Sequence, residues 1–174
     1  MKTATLPDLL RLDTREGIRR QEVRGIAFYL FRPYDLLTEG QELAIDVSSG
    51  VTQLRTAENT LVVETQLDLV EMRLFMVLAL SYPCSVAEYQ MLALCEMEIR
   101  DSVAMKEKLE RALSEQRRDA FLQPLEDVIA RCHRKIRTLG LMIVNRGSEY
   151  LLTSDQQEPE QVIAQGDAHH AHID

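Results

Sequence analysis

The sequence predicts an α+β fold, and three observations lead to this class. Short apolar segments with turn residues between them occupy the early part of the chain. Helical periodicity replaces this pattern from about residue 69, and a hairpin pattern follows the last helix. The 174 residues are 45% hydrophobic, which is enough for one domain with its own core.

Four segments before the helices are expected to form an antiparallel sheet. The first is an apolar run that begins at Ile26. Ser49, Gly50 and Asn59 supply turn chemistry between the later segments. The expected strands are residues 26–31, 43–47, 51–55 and 61–63. Residues 1–25 are polar and of mixed charge, so we expect an N-terminal arm that is either a short helix or loose.

The first two helices are expected directly after this sheet. Residues 69–80 carry apolar side chains on most sides, as a largely buried helix does, and Pro83 ends the pattern. Ser85 and Glu88 have the spacing of a capping box, which predicts the start of a second helix. Residues 99–119 are charge-rich with weaker periodicity, and we expect a solvated helix with a flanking loop there. This segment lies within an enlarged loop or helix insert expected over residues 96–124.

A third helix is expected over residues 125–139. Pro124 suits the first turn of a helix, and Gly140 suits its end. Apolar side chains recur along one stripe of this helix, while its opposite face is polar and largely basic. A hairpin follows, with its tip within residues 144–150. Residues 154–174 are acidic without periodicity, and we expect a flexible tail.

This order of elements is that of a winged helix-turn-helix. The sequence predicts such a domain over residues 26–153, with an N-terminal four-stranded antiparallel sheet, a three-helix core and a C-terminal β-hairpin wing. Two helices of this unit support a third, whose polar face fits the major groove of DNA. The hairpin tip can bring a cation to the adjacent minor groove, where the potential is most negative.

Charge is distributed unevenly along the chain. The formal net charge of −8 counts against binding a polyanion. Residues 36–99 account for this charge, since ten acidic residues there oppose two basic ones. By contrast, Arg131, Arg134, Lys135 and Arg137 fall within seven residues. One short segment of the third helix is therefore locally basic.

Several functional classes are disfavoured by the sequence. It contains no Gly-rich phosphate loop and no carboxylate pair in a catalytic context, so we expect no enzyme and no cofactor. His169, His170 and His172 fit a polar terminus better than a metal site, and no metal is expected. The longest apolar run is too short to cross a bilayer, and three cysteines at unrelated spacings are expected to be buried thiols. A cytoplasmic protein is therefore expected.

Three stretches of the chain carry a resemblance to a known family. Residues 67–74 are similar to Leu-Thr-x-x-Glu-x-x-Leu, residues 125–136 to Val-Asp-Val-x-Ile-x-Arg-Leu-Arg-Lys-Lys-Leu, and residues 146–150 to Arg-Gly-x-Gly-Tyr. These motifs resemble the first helix, recognition helix and wing of the DNA-binding effector domain of OmpR/PhoB-type transcription regulators. The resemblance implies a sequence-specific regulator that binds double-stranded DNA. Its recognition helix, residues 125–139, would lie in the major groove, and its wing, residues 144–150, at the minor groove.

The resemblance also implies roles for individual residues. Arg131 aligns with an arginine that reads bases or phosphates in the family, and His133 and Arg134 align with positions that contact the DNA backbone. Arg146 aligns with the wing arginine that enters the minor groove. The full set of expected DNA-contacting residues is Asp127, Arg131, His133, Arg134, Lys135, Arg137 and Arg146. A homodimer is expected, because one such module makes few contacts with an operator.

Several positions depart from the family pattern. Val128 and Ala130 stand where many members place polar or basic side chains, and Glu149 replaces the second wing glycine. If that glycine needs a positive φ, the turn must differ here. The segment 96–124 is longer than the corresponding family loop. Only about 25 residues precede the first expected strand, so we expect a stand-alone domain without the family's receiver.

A second interpretation belongs to a different class. The acidic balance and the lost phosphate contacts fit a winged-helix protein–protein interaction module that has lost or weakened DNA binding and acts through a partner regulator. The acidic block 36–99 and the insert 96–124 would supply its interface. Because the corresponding loop contacts RNA polymerase in relatives, the expected protein partner is RNA polymerase or another regulator. No membrane partner is expected.

Overall fold

The computed structural model describes residues 10–33, 35–95 and 102–155. They form an N-terminal antiparallel sheet, four helices and a second, smaller sheet that contains the C-terminal hairpin. The predicted α+β class is confirmed. Parts of the predicted arm, insert and tail lie outside the described residues. None of the helices in the described part of the chain is long and apolar enough to cross a membrane.

The N-terminal sheet has five strands, in the order β1-β2-β3-β4-β5, where four were predicted. The additional strand, β1, comes from residues assigned to the arm and pairs with β2 so that Val23 lies opposite Ile26. Arg24 and Gly25, with φ of 52° and 80°, form the tight turn between them. The five strands are Arg19–Val23 (β1), Ile26–Phe31 (β2), Gln41–Ile45 (β3), Val51–Thr56 (β4) and Leu61–Gln66 (β5).

The helices agree with the sequence in part. The first helix begins and ends close to its predicted bounds. Ser102–Ser114 forms a helix inside the predicted loop or helix insert, so the described residues contain four helices, the predicted three and the one in the insert. The predicted capping box of Ser85 and Glu88 is wrong, because the second helix begins at Glu88 itself. The helices are Leu69–Ser81 (α1), Glu88–Cys95 (α2), Ser102–Ser114 (α3) and Arg118–Ile136 (α4).

The last helix, α4, begins seven residues before its predicted start at residue 125. Pro124 therefore lies inside the helix and not at its first turn. A proline there leaves the carbonyl of Ala120 without its helical N–H partner, and Ala120 is exposed, so water can replace that bond. A short 3-10 turn, Arg137–Leu139, continues the helix to Gly140, whose left-handed φ of 75° ends it as predicted.

The second sheet joins the hairpin to the start of α2. Its strands are Val86–Ala87 (β6), Leu141–Asn145 (β7) and Glu149–Ser154 (β8), in the order β6-β8-β7. Val86 lies opposite Tyr150, and the Glu88 N–H donates to the carbonyl of Ser148 at 2.9 Å. The hairpin is thus attached to the turn between α1 and α2 by backbone hydrogen bonds.

The main core lies between the inner face of the five-stranded sheet and the helices. Leu43 and Ile45 of β3 are fully buried there, together with Phe75 of α1 and Cys132 and Ile136 of α4. The apolar stripe predicted for the last helix is therefore the side that faces the core. Burial of this stripe fixes which side chains of α4 remain available to solvent.

The three cysteines differ in environment, whereas the sequence led us to expect buried thiols. Cys84 is exposed, Cys95 is half-buried and Cys132 is buried. Burial, with a further contribution from the charge of Glu71, raises the pKa of Cys132 to about 12. At pH 8 only about one Cys132 thiol in ten thousand is then ionised, so its reactivity as a nucleophile is very low.

Iodoacetamide at pH 8 is expected to alkylate Cys84 in the folded protein and to spare Cys132. Unfolding in urea removes the burial of Cys132, and both thiols then react. Peptide mass spectrometry after timed quenching measures both sites in one sample. Equal alkylation rates at Cys84 and Cys132 without urea would contradict the packing of α4 described above.

Candidate nucleic-acid interface

Two of the predicted DNA-contacting residues turn towards α1. Lys135 Nζ lies 2.5 Å from Glu71 Oε2, and Arg131 Nε lies 3.4 Å from Glu71 Oε1. Arg131 Nη2 is also 4.0 Å from Asp68 Oδ2. Glu71 is fully buried, whereas 38% of the Lys135 side-chain surface and 47% of the Arg131 side-chain surface are exposed to solvent. Both cations therefore pair with one buried carboxylate and fix the contact between α4 and α1.

The first turn of α1 holds this carboxylate in place. Asp68 Oδ1 accepts hydrogen bonds from the N–H groups of Val70 and Glu71 at 2.9 and 2.8 Å. In return, Glu71 Oε2 accepts the N–H of Asp68 at 2.8 Å, which completes a capping box. The N-terminal end of a helix stabilises negative charge, so the buried Glu71 is held by the helix as well as by Arg131 and Lys135.

His133, another predicted contact, links α4 to the hairpin. Its Nδ1 lies 3.2 Å from the carbonyl oxygen of Ile143 and 3.3 Å from the Ile143 nitrogen. Either ring tautomer therefore has a backbone partner on β7. The side chain is half-buried. His133 consequently sets the position of the hairpin relative to α4, so it connects two surfaces that could face a ligand.

The outer face of α4 carries the remaining predicted residues of the helix. Arg134 and Arg137 are exposed there, and Arg137 Nη2 lies 3.9 Å from Asp155 Oδ2. Arg134 has no ion-pair partner among the described residues. Asp127 is exposed about two to three turns earlier and accepts a hydrogen bond from Gln123 Nε2 at 2.9 Å. The outer face is therefore basic near its C-terminal end and acidic further back.

The tip of the hairpin exposes Arg146. The Arg146 N–H donates to the carbonyl of Glu149 at 2.8 Å, and the positive φ of this turn, 74°, falls on Gly147. Glu149 therefore lies within β8, and its carboxylate accepts a hydrogen bond from the Ser85 hydroxyl. The substitution of the second wing glycine is thus accommodated, because the left-handed position belongs to Gly147.

The two exposed basic regions lie on elements with a defined mutual position. Since β7 runs back along α4 from Gly140, with His133 beside Ile143, the Arg146 tip lies towards the N-terminal half of α4. Burial raises the pKa of Tyr150, and the nearby charges of Glu88 and Glu126 raise it further. Tyr150 lies opposite Asn145 beside the turn, so the carboxylates of Glu88 and Glu126 are near the tip end of the hairpin.

Sequence reasoning missed two buried carboxylates that organise this region through ion pairs. Glu71 was part of a recognised motif, yet its pairing with α4 was not foreseen. Glu88 is also buried, and Arg118 Nη2 donates to its Oε1 at 2.7 Å. The available signal was the spacing of Asp68 and Glu71, which is that of a capping box before an apolar helix.

A groove of about 400 Å³ lies between α3 and α4, inside the segment expected to contact a protein partner. Its lining combines basic and apolar side chains: Lys108, Arg111, Ala112, Arg117, Ala120 and Phe121. Val103, which also lies on α3, has 69% of its surface exposed to solvent. This surface is separate from the outer C-terminal face of α4.

No group of His, Cys, Asp or Glu side chains suited to a metal ion occurs within the described ranges, and the tail histidines lie outside them. Comparison of the chain with protein-family models, with curated proteins and with solved structures finds no match.

Proposed function

We propose that this chain binds double-stranded DNA as a winged helix-turn-helix protein and regulates transcription. The observation that carries the proposal is a set of exposed arginines on α4 and on the hairpin tip, two elements linked through His133 and Ile143. Helices α1, α2 and α4 with the small β6-β8-β7 sheet occur in the order that such a domain requires. Helix α4 would lie in the major groove and the tip in the minor groove.

The geometry supports different roles for the individual basic residues. Arg134, Arg137 and Arg146 are exposed, so they are proposed to contact DNA. Arg131 and Lys135 pair with the buried Glu71, so they are proposed to hold α4 at the correct angle and to contribute only their exposed portions. His133 has the same supporting role. Asp127 lies on the exposed face. It would either repel wrong bases electrostatically or accept a hydrogen bond from the amino group of a cytosine.

Three principal cations limit the strength of binding. Neutralising about three phosphates gives a slope of about −2.7 in log K against log salt, which is small for a DNA-binding protein. The net charge of −8 further slows association with a polyanion. Specific binding to an operator is therefore proposed to need two copies of the chain, as the sequence also led us to expect.

The test is a fluorescence-anisotropy titration of genomic duplex fragments, including the region upstream of the protein's own gene, at several salt concentrations. Saturable binding is expected, and Arg134→Ala is expected to weaken specific binding by about 1–3 kcal/mol. Arg146→Ala is expected to weaken it through the loss of one minor-groove cation. Arg20→Ala on β1, which also removes one exposed arginine, is the matched control and should leave affinity unchanged.

A second candidate function is supported by the groove between α3 and α4. Its basic and apolar lining, with the exposed Val103 nearby, suits an acidic partner protein such as another regulator or RNA polymerase. Absence of DNA binding down to about 50 mM salt, with the fold intact by circular dichroism, would reject the first proposal and favour this one.

In the DNA titration, equal losses of affinity from Arg134→Ala and Arg20→Ala would reject the assigned face of α4.

A further inference from the structure

Helix α3 buries one side and exposes an apolar side chain near each of its ends. The buried side is formed by Met105, Leu109 and Ala112. Val103, in the first turn, and Leu113, in the last turn, are both exposed. Single exposed apolar residues are common on protein surfaces, so the side chains that lie between these two decide what they mean.

Val103 and Leu113 belong to one row of side chains, with Lys106 and Glu110 between them. The spacings of three, four and three residues place all four on the same side of the helix. Lys106 and Glu110 are exposed, and neither has an ion-pair partner in the part of the chain that the structure describes. These four residues form the α3 stripe, whose order is apolar, positive, negative, apolar.

The α3 stripe is a different surface from the groove between α3 and α4. Lys106 Nζ lies 5.9 Å from the centroid of the Tyr89 ring, so the stripe is on the side of α3 that faces α2. Lys108 lines the groove on the other side. It lies about 160° around the helix from Lys106, because each residue turns the side chain by about 100°.

The order of the stripe makes it complementary to itself when two copies of α3 lie antiparallel. Val103 then meets Leu113 of the second copy, and Lys106 meets Glu110 of the second copy, because both pairs are centred on the level of residue 108. A two-fold axis at that level forms each contact twice.

A parallel arrangement lacks this complementarity. It would place lysine against lysine at position 106 and glutamate against glutamate at position 110. It would also align the dipoles of the two helices, whereas the antiparallel arrangement opposes them. The charges of the α3 stripe therefore favour one orientation of a second copy.

We propose that two copies of this chain pair through the α3 stripe, with their α3 helices antiparallel. The use of the pair, which is to join two copies on an operator, rests on the function proposed above, whereas the pairing itself belongs to the free protein. The 13 residues of α3 span about 20 Å, so the stripe buries less than the about 800 Å² per partner of a standard interface. In solution we expect a dissociation constant of about 100 µM to 1 mM. Adjacent half-sites on DNA would raise the effective concentration and favour the pair.

Sedimentation equilibrium of the full chain without DNA measures this pairing, at loading concentrations from about 10 µM to about 1 mM. Lys106→Glu and Glu110→Lys each bring like charges together at both symmetry-related contacts. Each variant alone is expected to associate at least about tenfold more weakly than the unmodified chain. Lys108→Glu makes the same change of charge on the other side of α3, so this matched control is expected to change the dissociation constant by less than about twofold. Circular dichroism checks that each variant keeps the fold.

An equimolar mixture of the two charge-reversal variants tests the orientation of the helices. One chain of a mixed pair then carries two carboxylates on its stripe and the other carries two ammonium groups, so every charged contact is attractive. We expect the mixture, and also the double variant Lys106→Glu/Glu110→Lys, to regain the dissociation constant of the unmodified chain within about threefold. A mixture that associates far more tightly than the unmodified chain would mean that like charges meet in the unmodified pair, and would overturn the antiparallel arrangement.

Two further results would overturn the pairing itself. One is an unmodified chain that stays monomeric at about 1 mM, and the other is a Lys106→Glu variant that associates as well as Lys108→Glu. Because these measurements contain no DNA, their failure leaves the DNA proposal to its own titration. Equally, a chain that binds no DNA but shows the expected charge-reversal pattern would uphold the pairing, although the functional proposal had failed.

Discussion

Replacement of Gly50 by alanine is expected to destabilise the fold by about 3–5 kcal/mol, because left-handed strain and a steric overlap add together. Gly50 has a φ of 80°, and a Cβ there would lie 2.0 Å from the carbonyl oxygen of Leu67. The backbone cannot simply move away. Gly50 N donates to Asp46 O at 2.8 Å, and its carbonyl accepts the N–H of Leu67 at 3.0 Å. Urea unfolding followed by circular dichroism measures the loss.

Gly25→Ala is the matched control for this prediction. Gly25 also has a φ of 80°, yet a Cβ there would have nothing within 4 Å. Only the left-handed strain remains, so its cost is expected to be about 1–2 kcal/mol. If Gly50→Ala proves as mild as Gly25→Ala, the close approach of the β3–β4 turn to Leu67 is wrong.

The second large effect is expected at the buried carboxylate of Glu71. Glu71→Ala removes the partner of Lys135 and Arg131 and half of the capping box of α1. Breaking a buried ion pair costs about 3–5 kcal/mol. Because the two cations are partly exposed and water can reach them, we expect a smaller loss of about 2–3 kcal/mol. The free energy of unfolding from urea titrations measures this change.

Glu71→Gln separates the two contributions. Its amide oxygen can still accept the N–H of Asp68, so this variant keeps the cap and loses the negative charge. We expect about half of the destabilisation caused by Glu71→Ala, with a weaker dependence on salt. A loss below about 0.5 kcal/mol for Glu71→Ala would mean that Glu71 does not hold α4 to α1, and Arg131 and Lys135 would then be available to DNA.

The parts of the fold that the sequence predicted are those with strong local signals. Strands β2 to β5 alternate or run apolar between turn residues, and α1 is apolar on most sides. Strand β1 was missed because its Arg-Arg-Gln-Glu-Val sequence suits a solvent-exposed edge strand, which carries little apolar pattern. The start of α4 was misplaced because Pro124 is locally typical of a first turn, whereas burial of Leu122 and packing against α3 extend the helix towards its N-terminus.

The candidate site could be predicted only as a group of residues, not as a surface. Residues 131–137 are contiguous in sequence, but each step along a helix turns the side chain by about 100°. Lys135 therefore faces α1, His133 faces the hairpin and Arg134 faces solvent. Which cation is free depends on Glu71, about 60 residues away, and no local pattern contains that information.

The pairing of β6 with β8 has a consequence for how the hairpin acquires its position. Val86 and Tyr150 are joined across more than 60 residues, and closing such a loop costs about 4 kcal/mol of chain entropy. A strand of two residues cannot offset that cost by itself, so we expect the pairing to form only after α1, α2 and α4 have assembled. Unlike the local β7–β8 hairpin, the pairing of β6 with β8 is a contact of large sequence separation, so we expect it to form late in folding and to fix the orientation of the Arg146 tip at that stage.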